Sequence, residues 1–448
     1  MFSLTRGDVA VGFVLFTFRS CVATIEEYTP LFMAQLGYST LYIGIVPLFG
    51  FVTQLIGIPL AGYLSDIRVR KIMLLLCIVI SIPTILLFLV PNAPDAPCEL
   101  LPQRNSSFGN NTTKPAAIAN LLDKNSDTGF TFFLIIFFLR GIYELFKKLS
   151  VSLITVATMT HIKDDKAKLG YYGCWGELGA GISLFVVGVL AGHIFHSVCG
   201  EKVPSYYVAF LYAAAVQCLT PLALPWMKYE YLEKRVVNNA EVKRVLYNPH
   251  YILILFICAH AGLCSAFQLR WEFWYMEQLG GSPFVMAVGG LLRRPIVAVW
   301  FVLSPAVIGK LGELNVIAIS LFIFAAAFAA LAFAENAWLV IVYDNFQAAS
   351  FVLTYTSFVI HFSKAGSKAS SAFFQAVSLM VHGTGKEIGT LIMGFLFDKI
   401  GTKLTLCFCS IVTMIWLAVF TTYILTAKDL DGYMQVPTEE DENDDDKD

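Results

Sequence analysis

Gly62-Tyr63-Leu64-Ser65-Asp66-Ile67-Arg68-Val69-Arg70-Lys71 is a short polar stretch set between two apolar runs, and the rest of the chain is read outward from it. A glycine lets two helices approach closely. An aspartate at a helix end, with arginines just beyond it, supplies a charge latch that can close one face of a helical bundle. Lys and Arg near helix ends resist translocation, so the stretch belongs on the cytoplasmic side of a membrane.

The apolar runs on either side belong to a longer series. Segments of about twenty apolar residues, enough to cross roughly 30 Å of hydrocarbon, begin near Val9, Tyr42, Ile72, Phe130, Tyr171, Tyr206, Tyr251, Phe284, Val316, Trp338, Phe373 and Leu404. The expectation is an all-α membrane protein of twelve transmembrane helices in two six-helix halves. Composition agrees: apolar residues make up 57% of the chain and charged residues 14%, outside the balance of a soluble domain. The net charge of −2 carries no basic block, which excludes the electrostatic footprint of a nucleic-acid-binding protein. Val9 to Leu31 is too long for a signal-peptide core and contains Arg19, so it reads as a retained first span. Cysteines such as Cys77, Cys258, Cys407 and Cys409 lie in apolar segments as small hydrophobes. No Cys/His spacing suggests a metal, and no cofactor is expected.

An even number of spans puts both termini on one side. Arg6, the Arg68-Arg70-Lys71 cluster, Lys163-Lys166-Lys168 and the Lys228 to Arg244 group all fall on that side, which makes it cytoplasmic. The opposite side carries the longest loop, 91–129, with three N-x-Ser/Thr acceptors at Asn105, Asn110 and Asn111. Cys98 and Cys199 occupy outer loops, where they either form a disulfide or remain unpaired thiols. The domain reading is an N-terminal half over 1–228, a cytoplasmic linker over 229–249, a C-terminal half over 250–426 and an acidic tail over 427–448. That tail is too charged to bury a core. Its Tyr433-x-x-Val436 pattern resembles a tyrosine-based sorting signal for trafficking adaptors, and the plasma membrane or an endolysosomal membrane is the expected location.

Gly62 to Lys71 resembles the G-x-L-x-D-[RK]-x-[GR]-[RK]-[RK] signature of the major facilitator superfamily, lacking only the basic residue at Ile67. Gly62, Asp66, Arg68 and Arg70 are the gate residues that the resemblance implies. A weaker echo, Gly394-Phe395-Leu396-Phe397-Asp398-Lys399-Ile400-Gly401, stands in the second half. With Gln375, the Gly383, Gly385, Gly389 and Gly394 series, Asp344, Gln347, Pro30 and Pro295, the chain resembles the lactose-permease-like branch. Within that branch it is most similar to the animal group called major facilitator superfamily domain-containing protein 6. The resemblance implies a secondary transporter, and a proton-coupled one.

It departs from the sugar symporters of the branch where they hold sugar. Their fifth span begins G-R-x-R-x-[WF]-G-x-x-G, whereas this chain reads Gly170-Tyr171-Tyr172-Gly173-Cys174-Trp175-Gly176-Glu177-Leu178-Gly179. Their eighth-span glutamate is replaced by Arg293-Arg294-Pro295. Sugar hydroxyls are held by carboxylates and guanidiniums together, so sugar is not carried over. Arg293 and Arg294 opposed by Glu177 suit an anionic or zwitterionic solute, or else form a structural pair.

Charges inside spans are costly unless paired or facing water, which makes them site candidates. Arg19 and Glu26 are two helical turns apart on one face of the first span. Glu26 or Glu27 either binds the coupling proton or sits at the outer interface. Arg140 and Glu144, spaced i,i+4 with Lys147 and Lys148 beyond, form a ladder of neutralising pairs. In the eleventh span His382 lies one turn from Lys386, and Lys386 is either a binding cation or the partner of Asp344. His260 reads as a hydrogen-bonded core histidine. Arg270 to Tyr275 reads as an outer interfacial belt, and His193 with His196 has helical i,i+3 spacing. Trp175 either stacks on a solute ring or packs. No G-x-x-x-x-G-K-[ST] loop occurs, so ATP is not the drive, and an enzyme is not expected. The functional expectation is alternating-access transport of a small polar or anionic solute, with a transporter-like receptor or scaffold as the competing class.

Overall fold

The computed structural model describes residues 6–53, 70–89, 126–162, 166–198, 201–227, 239–367 and 370–428. The first six spans are helices Arg6–Gln35, Thr40–Thr53, Arg70–Leu87, Ser126–Ile162, Lys166–His193 and Tyr207–Trp226, the last of these tightening to 3₁₀ from Thr220. The second six are Pro249–Gln278, Pro283–Leu311, Glu313–Ala332, Ala337–Ser363, Ser371–Ile400 and Thr402–Lys428. Helices satisfy their own backbone within the segment, which is what a hydrocarbon solvent demands. Eight of the described helices are long and apolar enough to cross a membrane by length and composition alone. The tenth and eleventh carry Asp344, Gln347, His382 and Glu387, all buried inside the bundle. A short antiparallel hairpin, β1 (Phe195–Val198) and β2 (Glu201–Pro204), joins the fifth and sixth helices.

Side-chain bonds tie the helix ends together in the alternating order of a polytopic bundle. On the face where the first helix begins, His161 bonds Asp8 at 2.9 Å, Lys71 donates to the Pro225 carbonyl at 3.2 Å, and His250 meets Tyr423 at 2.6 Å. On the opposite face Gln35 donates to the Pro204 carbonyl at 2.5 Å and Tyr38 to that of Gly129 at 3.2 Å.

Three glycines of the eleventh helix mark close approach: Gly385 and Gly389 meet the seventh helix, and Gly394 meets the second at the Thr40 carbonyl. A Cβ at Gly385 would stand 2.0 Å from the Ala259 carbonyl oxygen, and one at Gly262 would stand 2.1 Å from that of His382. The two backbones touch, which only glycine permits.

The described bonds that cross between the halves lie at mid-depth or toward the face opposite the first helix's start. Tyr206 donates to Glu277 at 3.0 Å and Thr40 to the Gly394 carbonyl at 2.9 Å, in addition to the ion pairs below. Near its start, by contrast, the first helix bonds within its own half, through Asp8 to His161 and Tyr172. Among the described residues the halves are therefore fastened on one side. The Arg19 side chain, at the middle of the first helix, is 43% exposed.

Candidate functional site

Two buried charge clusters meet on the first helix, whose consecutive residues Glu26 and Glu27 are turned about 100° apart and enter different ones. Glu27 joins the cluster around the eighth helix. Its carboxylate accepts from Arg293 Nη2 at 2.5 Å and also bonds Arg294. Arg294 Nη1 reaches Glu177 on the fifth helix at 3.2 Å, and Arg19 Nη2 donates to the other oxygen of Glu177 at 2.6 Å. Arg293 Nη1 bonds Glu272 and lies 3.6 Å from Asp344 Oδ2. Gln268 donates to Asp344 Oδ1 at 2.8 Å, and Arg293 donates to the Gln268 carbonyl at 3.1 Å. Five helices thus converge on two adjacent guanidiniums.

Glu26 joins the second cluster. Lys147 Nζ stands 2.5 Å from both Glu26 and Glu144, and Arg140 donates to Glu144 at 2.6 Å. Arg270 lies 3.7 Å from Glu26, 4.0 Å from Glu144 and 3.6 Å from Glu387, while Lys386 stands 3.4 Å from Glu387. Lys148 donates to the Gly50 carbonyl at 2.7 Å.

This geometry corrects several expectations. Arg270, Trp271 and Glu272 are buried, not an interfacial belt, because Phe267–Trp271 winds as a π-helical turn. The extra residue in that turn rotates the charged pair into the bundle, a device frequent at functional positions. Lys386 pairs with Glu387 and not with Asp344, which is occupied by Gln268 and the Arg293 guanidinium. Glu26 and Glu27 lie inside the bundle rather than at the outer interface, with Glu27 only 4% exposed. Arg19 and Glu26, too far apart on the first helix to touch, go to separate partners, Arg19 to Glu177 and Glu26 to Lys147, as their two-turn spacing allows. His193 ends the fifth helix while position 196 belongs to β1, so the two do not share a helical face. Among the described residues no group of three metal-ligating side chains forms.

Other readings find their places. Arg140, Glu144 and Lys147 form the expected ladder, and His260 is hydrogen-bonded to Thr413 at 3.1 Å. Trp175 packs against Gly12 of the first helix and stays 38% exposed. His382 stands 3.5 Å from the Ser265 hydroxyl and packs its ring against Phe351 and Tyr355. Tyr355 is within electrostatic reach of Arg19. The gate residues Gly62, Asp66 and Arg68, the side chain of Arg70, the acceptors Asn105, Asn110 and Asn111, the cysteines Cys98 and Cys199, and the Tyr433 to Val436 motif lie outside the described residues.

Comparison with solved structures places this architecture. The nucleoside transporter NupG superposes with a TM-score of 0.68 at 13% identity, over 92% of this chain and 98% of that one. A bacterial homologue of the human lysosomal transporter Spinster, solved inward-facing and unoccupied, gives 0.62 at 13% identity, over 92% and 94%. A POT-family transporter in complex with a thioalcohol-conjugated peptide gives 0.66 at 10% identity, over 95% and 97%. At such identities the likeness is one of fold. Twelve helices in two six-helix bundles, fastened through buried charges, define a multi-pass membrane protein of the major facilitator transporter fold. The chain belongs to the MFS_1-like family, whose model matches residues 9–408.

Proposed function

We propose that this protein is a secondary transporter in which protonation of the Arg293 cluster is coupled to alternating access of a small polar solute between the two halves. One observation carries the reading: four carboxylates, Glu27, Glu177, Glu272 and Asp344, face three guanidiniums, Arg19, Arg293 and Arg294. A buried surplus carboxylate costs several kcal/mol, and a bound proton removes the surplus. Glu272 and Asp344 close on the same Arg293 nitrogen, so they share one counter-charge and are the natural pair to hold that proton. Protonation there releases Arg293 from the carboxylates of its own half and leaves Glu27 as its charged partner, which changes the balance of contacts across the halves and so biases the equilibrium between access states.

The solute site in this reading lies beside the exposed Arg19, between Glu177 and Trp175 on one half and Tyr355 and His382 on the other. An ion pair flanked by rings suits a polar or zwitterionic solute. A simple anion at Arg293 or Arg294 must displace a carboxylate already bonded there. The neighbours are named for nucleoside and peptide, both polar solutes. We further take the termini as cytoplasmic, the 91–129 loop as an outer glycosylated segment, 229–249 as the linker between halves and an endolysosomal or plasma membrane as the location, on loop charge and the acceptor sites.

The test is uptake into proteoliposomes with an imposed pH gradient, using a panel of a nucleoside, a dipeptide, a zwitterionic amino acid and lactate. The reading expects gradient-driven accumulation of at least one solute. Asp344→Asn and Glu272→Gln should each lose accumulation while keeping solute exchange. Absence of transport across the panel, with a binding partner captured by the outer loop, favours the receptor reading and rejects this one.

A further inference from the structure

The second cluster has the opposite imbalance. Arg140, Lys147, Arg270 and Lys386 face only three carboxylates, Glu26, Glu144 and Glu387, among the described residues. Arg140 and Arg270 are almost wholly buried, at 1% and 3% exposure. Arg140 Nε and Nη1 and Arg270 Nε have no hydrogen-bond partner, and Arg270 Nη2 stands 3.6 Å from Glu387 Oε2, itself without one. A buried guanidinium with idle donors is costly, and more so with one positive charge uncompensated.

Both guanidiniums line one enclosed cavity of about 10 Å³, walled further by Val46, Pro47, Trp271 and Thr390. That is room for one particle of about water size. No carboxylate lines it. Thr390 spends its hydroxyl hydrogen on the Lys386 carbonyl and Trp271 its indole N–H on the Thr390 carbonyl. The charged residues of the cavity wall are therefore the two arginines, with the acids of Glu26, Glu144 and Glu387 beside Arg270 but outside the wall.

We propose that this cavity is a binding site for a single small inorganic anion of the halide class, held between Arg140 of the first half and Arg270 of the second. The anion completes the idle donors and cancels the surplus charge. Because its two arginines come from different halves, it fastens the conformation closed on the face opposite the chain ends. It is separate from the solute site beside Arg19, and it does not depend on which solute is carried.

The experiment uses the full-length purified protein in detergent. Thermal stability is compared in sodium chloride, sodium bromide and sodium gluconate at equal ionic strength, and the bromide-grown crystal is examined for anomalous scattering. The site predicts a halide-specific rise in Tm of about 2–4 °C and a bromide peak between Arg140 and Arg270. Val46→Leu adds a methylene to the wall and keeps every charge, so it should fold and lose the halide-specific rise. Arg140→Gln should lose it as well, and Val46→Leu keeps the test decisive if that variant does not fold. Equal Tm in chloride and gluconate, a water alone in the cavity, or an undiminished halide effect in Val46→Leu would each overturn the proposal. Failure of transport in liposomes would leave these readouts untouched, so the two readings fail separately.

Discussion

Arg293 and Arg294 are adjacent in sequence and serve different partners, and that division decides what their loss should do. Arg294 is 9% exposed at the side chain and holds both Glu27 and Glu177. Removing one partner of a buried pair costs about 3–5 kcal/mol, because the remaining charges are left uncompensated. Arg294→Gln should therefore lower thermal stability sharply in a detergent melt. Arg19 binds Glu177 too, but 43% of its side chain is exposed, and Glu177 retains Arg294 if it is lost. Arg19→Gln should cost about 1 kcal/mol or less while lowering solute affinity in uptake assays. Equal destabilisation by the two variants would contradict the separation drawn here between fastening and solute site. At this scale the opposition of Glu177 to the arginine pair was readable in the sequence, because charges inside apolar spans must be paired or face water, and Arg294 is the one that takes it. The sequence did not reveal Glu27 as the common partner, because neighbouring acids at a helix end read equally well as interfacial.

Elements carry the part of the design that periodicity cannot show. Arg270 and Glu272 stand only two residues apart in an aromatic stretch, a spacing that on a regular helix turns them to different faces. The π-helical turn at Phe267–Trp271 brings both inside. Two charges without polar neighbours in a span were the available signal, but the local winding was not legible. The glycine series was legible only as a mark of the resembled branch, and its physical reason is close approach: Gly385 and Gly389 meet the seventh helix and Gly394 the second. Gly385→Val should abolish folded protein in size-exclusion profiles, because its Cβ has no room beside Ala259. Gly173→Ala, with nothing within 4 Å of the added Cβ, should leave the profile unchanged. A further contact ties the short helix Asn239–Leu246 to the loop between the tenth and eleventh helices. Glu241 accepts from Ser370 Oγ at 2.6 Å, from Ser367 Oγ at 3.1 Å and from the Ser367 N–H. Burial raises its pKa, but those hydrogen bonds from Ser370 and Ser367 outweigh it and hold the carboxyl below its usual range. The contribution is full above the ordinary carboxylate value and is lost as pH falls through the depressed one. Hydrogen exchange should show Ser367 protected at neutral pH, losing protection on acidification, and unprotected throughout in Glu241→Ala.

For the whole molecule, composition and loop charge were enough to read twelve helices in two halves, because hydrocarbon admits few other arrangements of such a chain. Which face carries the described bonds between the halves was beyond the sequence, since it depends on contacts between helices far apart along the chain, such as Tyr206 with Glu277 and Thr40 with Gly394. In the proposed cycle the Arg293 cluster takes up a proton and the halves exchange the closed face for the other. Interspin distances measure this directly. One spin-label pair at His193 and Glu335 reports the face opposite the chain ends, and a second at Arg6 and Leu311 reports the other face. Lowering the pH in the presence of a transported solute should lengthen the first distance and shorten the second, and Glu272→Gln with Asp344→Asn should remove the pH dependence of both. Distances that do not move, move in the same direction, or respond to pH equally in the double variant would contradict the account.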